Sequence, residues 1–212
     1  MKRVVLASGS FWRKELLVWM GVPFEVCVSG FDERVVKEAH PPKLVAMLAF
    51  GKAMAVGDRL REEYGTVEET VIIGADTLVW ADGEAIGKPE NLDEARVILN
   101  KLRGKFHEVL TGVAVLGAGG EKLVEVDRSR VAFRNFSDQE REDYLASGES
   151  LGKAGAYMIL GGAKGFVESV EGSVTGVVGL PLGRLKKMLA RVGVETVVDV
   201  SAMLKRRIGY ED

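Results

Sequence analysis

The chain has 212 residues, 47% of them hydrophobic and 28% charged, enough apolar material for a large core and too much for a disordered protein. Lys and Arg total 29 against 31 Asp and Glu; the resulting net charge of −2 excludes a broadly basic nucleic-acid surface but not a local basic pocket. One cysteine, Cys27, and two histidines, His40 and His107, exclude a disulfide framework, a cysteine zinc cluster and a histidine-rich metal site, and suit a reducing cytoplasm.

No apolar run is long enough to span a bilayer, so no membrane partner is expected. The opening Met1-Lys2-Arg3-Val4-Val5-Leu6 is interrupted at once by Ser8-Gly9-Ser10 and fails as a signal peptide. Val4–Ala7 reads as a short strand, and Phe11 to Met20 has helical spacing up to Gly21. Pro23 to Val28 reads as a second strand, with Cys27 in its core. Pro42 to Tyr64 is a long helix. Val71–Ala75 fits a strand buried on both faces. Leu78–Ala81 and Glu84–Ile86 flank Asp82-Gly83 as a tight hairpin.

Asn91 with Glu94 opens a helix that stops at Gly104. Glu108 to Leu116 and Lys122 to Phe133 are strands joined by the glycine-rich 117–120. Ser137 with Glu140 is a full capping box for a helix ending near Gly148, and Leu182 to Val192 forms a last helix. No repeat or linker divides the chain. The mixture predicts an α/β fold with a mixed sheet in one domain.

Several residues point to polyanion chemistry. Ser8-Gly9-Ser10 leads into a helix start, where backbone N–H groups and the helix dipole favour phosphate, and Arg13 adds a planar fork. Alternatively, Ser10 only caps the helix and Arg13 is solvated. Asp76, placed just after the Val71–Ala75 strand, sits where open α/β sheets bind ligands and could hold Mg²⁺ or orient water; it could also cap a turn. Asp32-Glu33 is a second acidic cluster that could share a hard cation. Lys52 interrupts an apolar helix face beside Ala49 and Ala53, and Lys88 stands on the stiff Gly87-Lys88-Pro89 turn. Snorkelling and simple exposure are their ordinary explanations. Together, these cations and acids suggest magnesium-assisted attack on a polyphosphate, provided the segments converge in one cleft.

Five ordered motifs carry a family resemblance. They are Leu-Ala-Ser-Gly-Ser at 6–10 with Arg13-Lys14-Glu15-Leu16-Leu17, Ile-Gly-Ala-Asp-Thr at 73–77, Gly-Lys-Pro at 87–89, Lys-Ala-Gly-Ala-Tyr at 153–157, and Val-Gly-Leu-Pro at 178–181. Over roughly residues 4 to 190 the chain resembles the Maf nucleotide pyrophosphatases. The resemblance implies a single elongated α/β domain with a mixed twisted sheet, flanking helices and a central cleft, spanning residues 1–193, with 194–212 as a C-terminal extension. It implies hydrolysis of a nucleoside triphosphate to the monophosphate and pyrophosphate with Mg²⁺ or Mn²⁺, and a link to septum formation and division arrest. Asp76 then matches the catalytic acid and, with Glu33, the metal position; Ser8, Arg13, Lys52, Lys88 and Lys153 match positions around the phosphates. A homodimer is expected, and a stable nucleic-acid complex is not.

Within the family, Thr77 and the 153–157 block resemble the dTTP/UTP branch. Phe11 replaces its usual proline, Trp12 stands at its first arginine, and Leu160 takes its glutamine position. Trp12 resembles the 7-methyl-GTP branch, whose other motifs are absent. Losing a glutamine amide removes base-edge hydrogen bonds, whereas Trp12 offers stacking, so Trp12, Thr77 and Leu160 are the specificity candidates. The expected substrate is dTTP/UTP or a modified nucleotide. A non-catalytic nucleotide-binding division regulator and a 7-methyl-GTP or inosine triphosphate pyrophosphatase are the alternatives.

Overall fold

The computed structural model describes residues 2–65, 67, 69–196 and 198–209. Its N-terminal part contains β1 (Arg3–Leu6), α1 (Phe11–Trp19), β2 (Glu25–Val26) and the long α2 (Pro41–Tyr64). Ser10 accepts from Arg13 N–H at the start of α1, and Gly65, at φ +76°, ends α2. Next come β3 (Thr70–Ala81) and β4 (Glu84–Ile86), joined by a turn in which Asp82 and Gly83 both have positive φ, as an Asp-Gly hairpin requires. Then follow α3 (Leu92–Leu102), β5 (Phe106–Leu116), β6 (Lys122–Phe133) and α4 (Asp138–Ala146), the last closed by the complete Ser137–Glu140 capping box.

Among the described residues, seven strands form one mixed sheet in the order β2-β1-β3-β5-β6-β7, where β7 is Val167–Glu171 and β4 also pairs with β3. β1 runs parallel to β2 and β3, and the remaining pairings are antiparallel. β5 lies along one edge of β3 from Ile72 to Trp80. The other edge is shared: β1 takes Thr70–Ile73, β4 takes Val79–Ala81, and neither pairs residues 74–78. The sheet therefore splits beside the middle of β3.

Alternation along β3 sends side chains to two layers. Val71, Ile73 and Ala75 join Leu16 and Leu17 of α1 in one core, and Ile72 joins Ala49, Ala53 and Val56 of α2 in another. A third cluster surrounds Val79, Val109, Phe133 and Tyr157. The approach of α2 depends on two glycines. A Cβ at Gly74 would lie 2.2 Å from Ala49 O, and one at Gly112 would lie 2.2 Å from Val45 O.

The structure corrects the sequence reading in several places. β3 is one strand of 12 residues, so Asp76 lies in its interior, not after its end. Continuous pairing with β5 holds the strand together through the polar residues Asp76 and Thr77. β2 is shorter than Pro23 to Val28, and Cys27, just beyond it, is only half-buried. β7 and α5 (Val174–Val178) lack strong local signals: β7 has mostly exposed residues, and α5 contains three β-branched valines or threonines and a glycine before its final valine. After α6 (Leu182–Arg191) comes α7 (Val200–Ile208), which places Val200, Met203 and Leu204 in the core that contains α1 and α6. The described part of the C-terminal extension thus packs onto the domain; residues 197 and 210–212 lie outside the described residues.

Candidate active site

The split in the sheet opens into a cleft of about 870 Å³, with Ser8, Arg13, Glu33, Lys52, Asp76 and Lys88 among its lining residues. Asp76 pairs across the sheet with Gly112 and shares the face of Gly74, against which α2 is pressed. That contact brings Lys52 down onto the strand. Its Nζ lies 2.6 Å from Asp76 Oδ1 and 2.8 Å from Glu33 Oε1. Lys52 and Asp76 are both shielded, at 12% and 13% side-chain exposure, whereas Glu33 is 55% exposed, so the inner ion pair is much less screened than the outer one.

Glu33 reaches this point because the segment after β2 is fastened to α2. A Cβ at Gly51 would meet the Phe31 ring at 2.5 Å, so only a glycine lets that ring lie flat on the helix one residue before Lys52. Arg59 also donates to Ser29 O at 2.7 Å. A single 3-10 turn, capped by Asp32, then presents Glu33. Of the Asp32-Glu33 pair, Asp32 is committed to Arg34 and Glu33 turns into the cleft.

Arg13 projects from α1 on the other side of β3. Its Nε donates to Gly179 O at 2.9 Å, Nη1 to Ser8 Oγ at 3.3 Å and Nη2 to Thr77 Oγ1 at 3.1 Å. Burial pulls this guanidinium below the ordinary arginine value, and the negative charges of Asp76 and Glu33 oppose that shift. Arginine nevertheless remains protonated, so the result is a fixed positive charge beside two carboxylates. Ser8 Oγ also accepts from Ser10 N–H, which shapes the loop ahead of the first turn of α1.

Two further cations come from the opposite wall. Gly155, at φ +73°, donates its N–H to Gly87 O, tying the Lys153 loop to the Lys88 turn. Both lysines line the cleft. Behind them, Tyr157 lines the same wall, and its hydroxyl lies 2.8 Å from His107 Nε2. Burial pushes His107 down to about 4, so the imidazole is neutral near pH 7.

The structure therefore brings Ser8, Arg13, Glu33, Lys52, Asp76, Lys88 and Lys153 to one cleft. Trp12 also lines it, edge-on to the exposed Phe11 at 5.5 Å. Thr77 lines it too, with its hydroxyl engaged by Arg13 and Thr111. Leu160 is placed differently: it packs against the third core cluster and is not among the lining residues, which instead include Met158 and Ile159. Thr111 and Gly179 were missed by sequence reasoning. Thr111 lies inside an apolar strand run, and Gly179, although within the Val-Gly-Leu-Pro motif at 178–181, contributes a backbone carbonyl whose role its residue type does not reveal.

Glu33 and Asp76 offer carboxylate oxygens, the donor type that a hard divalent cation takes. Among the described residues no cluster of three or more His, Cys, Asp or Glu forms an all-protein cage. No described helix is long and apolar enough to cross a membrane.

Comparison with protein families matches residues 3–192 to the Maf-like protein family. A dTTP/UTP pyrophosphatase of Pelotomaculum thermopropionicum is 42% identical over 194 residues, covering 91% of this chain and 98% of that protein. One of Dictyoglomus thermophilum is 44% identical, covering 91% and 97% respectively. One of Hahella chejuensis is 43% identical, covering 92% and 94%.

Proposed function

Because the chain belongs to the Maf-like protein family, we propose that it hydrolyses dTTP or UTP to the nucleoside monophosphate and pyrophosphate in this cleft. One observation carries the proposal: Lys52 joins Asp76 and Glu33, from distant parts of the chain, beside the fixed charge of Arg13. A polyanion entering the cleft meets Arg13, Lys52, Lys88 and Lys153 as a preorganised positive surround. Ser8 and the first-turn N–H groups of α1 supply hydrogen-bond donors.

Asp76 orients the attacking water and takes its proton. Glu33 and Asp76 would hold Mg²⁺ or Mn²⁺, which when bound offsets charge on the phosphates and the leaving pyrophosphate. Lys52 then has phosphate oxygens as alternative partners to the two carboxylates. Trp12 offers its ring to the base, a contact that tolerates either pyrimidine. We place the activity in the cytoplasm, which suits the free thiol of Cys27.

The test is a substrate panel of dTTP, UTP, CTP, 7-methyl-GTP and inosine triphosphate with Mg²⁺ or Mn²⁺. Phosphorus NMR would identify the products. The expected result is preferred turnover of dTTP and UTP with release of pyrophosphate. A clear preference for 7-methyl-GTP or inosine triphosphate would reject the substrate assignment. Nucleotide binding without turnover, unchanged in Asp76→Asn, would reject the enzyme in favour of a binding regulator.

A further inference from the structure

Thr111 is a buried polar residue on β5, 1% exposed among apolar neighbours. Its hydroxyl donates to Gly176 O at 2.8 Å. A threonine hydroxyl has one hydrogen, so at its 3.0 Å contact with Thr77 Oγ1, Thr111 accepts and Thr77 donates. Thr77 has then used its own hydrogen, and its oxygen accepts from Arg13 Nη2 at 3.1 Å. The chain has one direction: Arg13 to Thr77, Thr77 to Thr111, Thr111 to Gly176 O.

That end point matters because the same short segment also holds Arg13 directly. Arg13 Nε donates to Gly179 O, immediately after α5, while Gly176 lies within α5. The guanidinium is thus tied to one turn of chain by two routes, one direct and one through two threonines. Arginine alone could swing about its side-chain torsions; two anchors of fixed polarity hold the plane of its fork. Hydrogen bonds in such a series polarise one another, and its far end, from Thr111 to Gly176 O, is buried away from water.

We propose that Thr111 is a positioning residue: through Thr77 it fixes the orientation in which Arg13 presents its guanidinium to a polyphosphate. This rests on the proposed function only in naming Arg13's ligand.

Thr111→Val and Thr111→Ser separate positioning from packing. Valine keeps the shape and loses the hydroxyl; serine keeps the hydroxyl and loses a methyl. Kinetics with dTTP and Mg²⁺ would give KM and kcat. Side-chain NMR would follow hydrogen exchange at Arg13 Nε, its signal assigned by its loss in Arg13→Lys. In Thr111→Val, KM is expected to rise about tenfold with a smaller change in kcat, and Nε exchange to quicken about tenfold. Thr111→Ser is expected to restore both to within about threefold of the native enzyme.

Native KM and exchange in Thr111→Val, or a serine variant more impaired than the valine variant, would overturn the proposal. If Thr111→Val does not fold, Thr77→Val cuts the same series and must quicken Nε exchange, or the proposal fails. Absence of dTTP turnover by the native chain would count against the proposed function alone, since the exchange measurement still decides the role of Thr111.

Discussion

Lys52 Nζ and Asp76 Oδ1 lie 2.6 Å apart beside the stretch of β3 left between β1 and β4. Replacing Asp76 with Asn keeps the shape and removes the ability to accept a proton. Turnover is expected to fall by about 10² to 10⁴, the usual worth of a positioned acid or base. Lys52 retains Glu33 at 2.8 Å, so the urea midpoint should move little. A variant within a few-fold of native turnover would remove Asp76 from the chemistry.

Gly74→Ala tests the packing beneath that ion pair. The added methyl would meet Ala49 O at 2.2 Å and Ala53 Cβ at 3.0 Å, so α2 must lift from the sheet. Overpacking of this kind costs roughly 1–3 kcal/mol, and contact with backbone puts the expectation at the upper end. Lys52 moves with its helix, so turnover should fall even in the folded fraction. Urea denaturation and active-site titration on one sample would check both parts.

Trp12→Ala separates the base from the phosphates. If the ring stacks on the base, KM for dTTP should rise by roughly ten- to a hundredfold, while inhibition by inorganic tripolyphosphate stays near native. Equal losses for both ligands would mean that Trp12 shapes the loop and does not contact the base.

His107 makes folding stability depend on pH. Its imidazole titrates near 6.5 in the unfolded chain and at about 4 when buried. Above 6.5 both states are neutral here and the full contribution is present. From 6.5 down to about 4 only the unfolded chain gains the proton, so stability falls by roughly 3 kcal/mol and then levels off. His107→Gln should flatten that slope. Urea midpoints measured over this pH range for both proteins would show it; parallel slopes would exclude His107 as the source.

Local signals were legible where one segment determines its own structure. Ser137 and Glu140 specify a helix start without outside help, as do Asn91 before α3 and Asp82-Gly83 between β3 and β4. Most of the candidate site was legible as residues of ordered motifs that resemble those of a family; Glu33 and Lys52 lie outside those motifs. The arrangement of the site was not legible. Whether β3 ends at Ala75 or runs on depends on β5, which follows only after α3, and the opening at Asp76 depends on where β1 and β4 stop pairing. Leu160 showed the opposite difficulty: its motif position suggested a specificity role, but it is partly buried against the third core cluster and is not among the cleft-lining residues.

The divided edge of β3 also means that main chain forms part of the cleft surface. Successive residues of a strand direct their N–H and C=O groups to alternate sides, and between β1 and β4 one of those sides has no partner strand beside the cleft-lining Asp76, Thr77 and Leu78. Peptide groups there present donors and acceptors whatever the side chains are. An alanine scan would therefore under-read how a ligand is recognised, whereas swapping single amides for esters would expose that contribution.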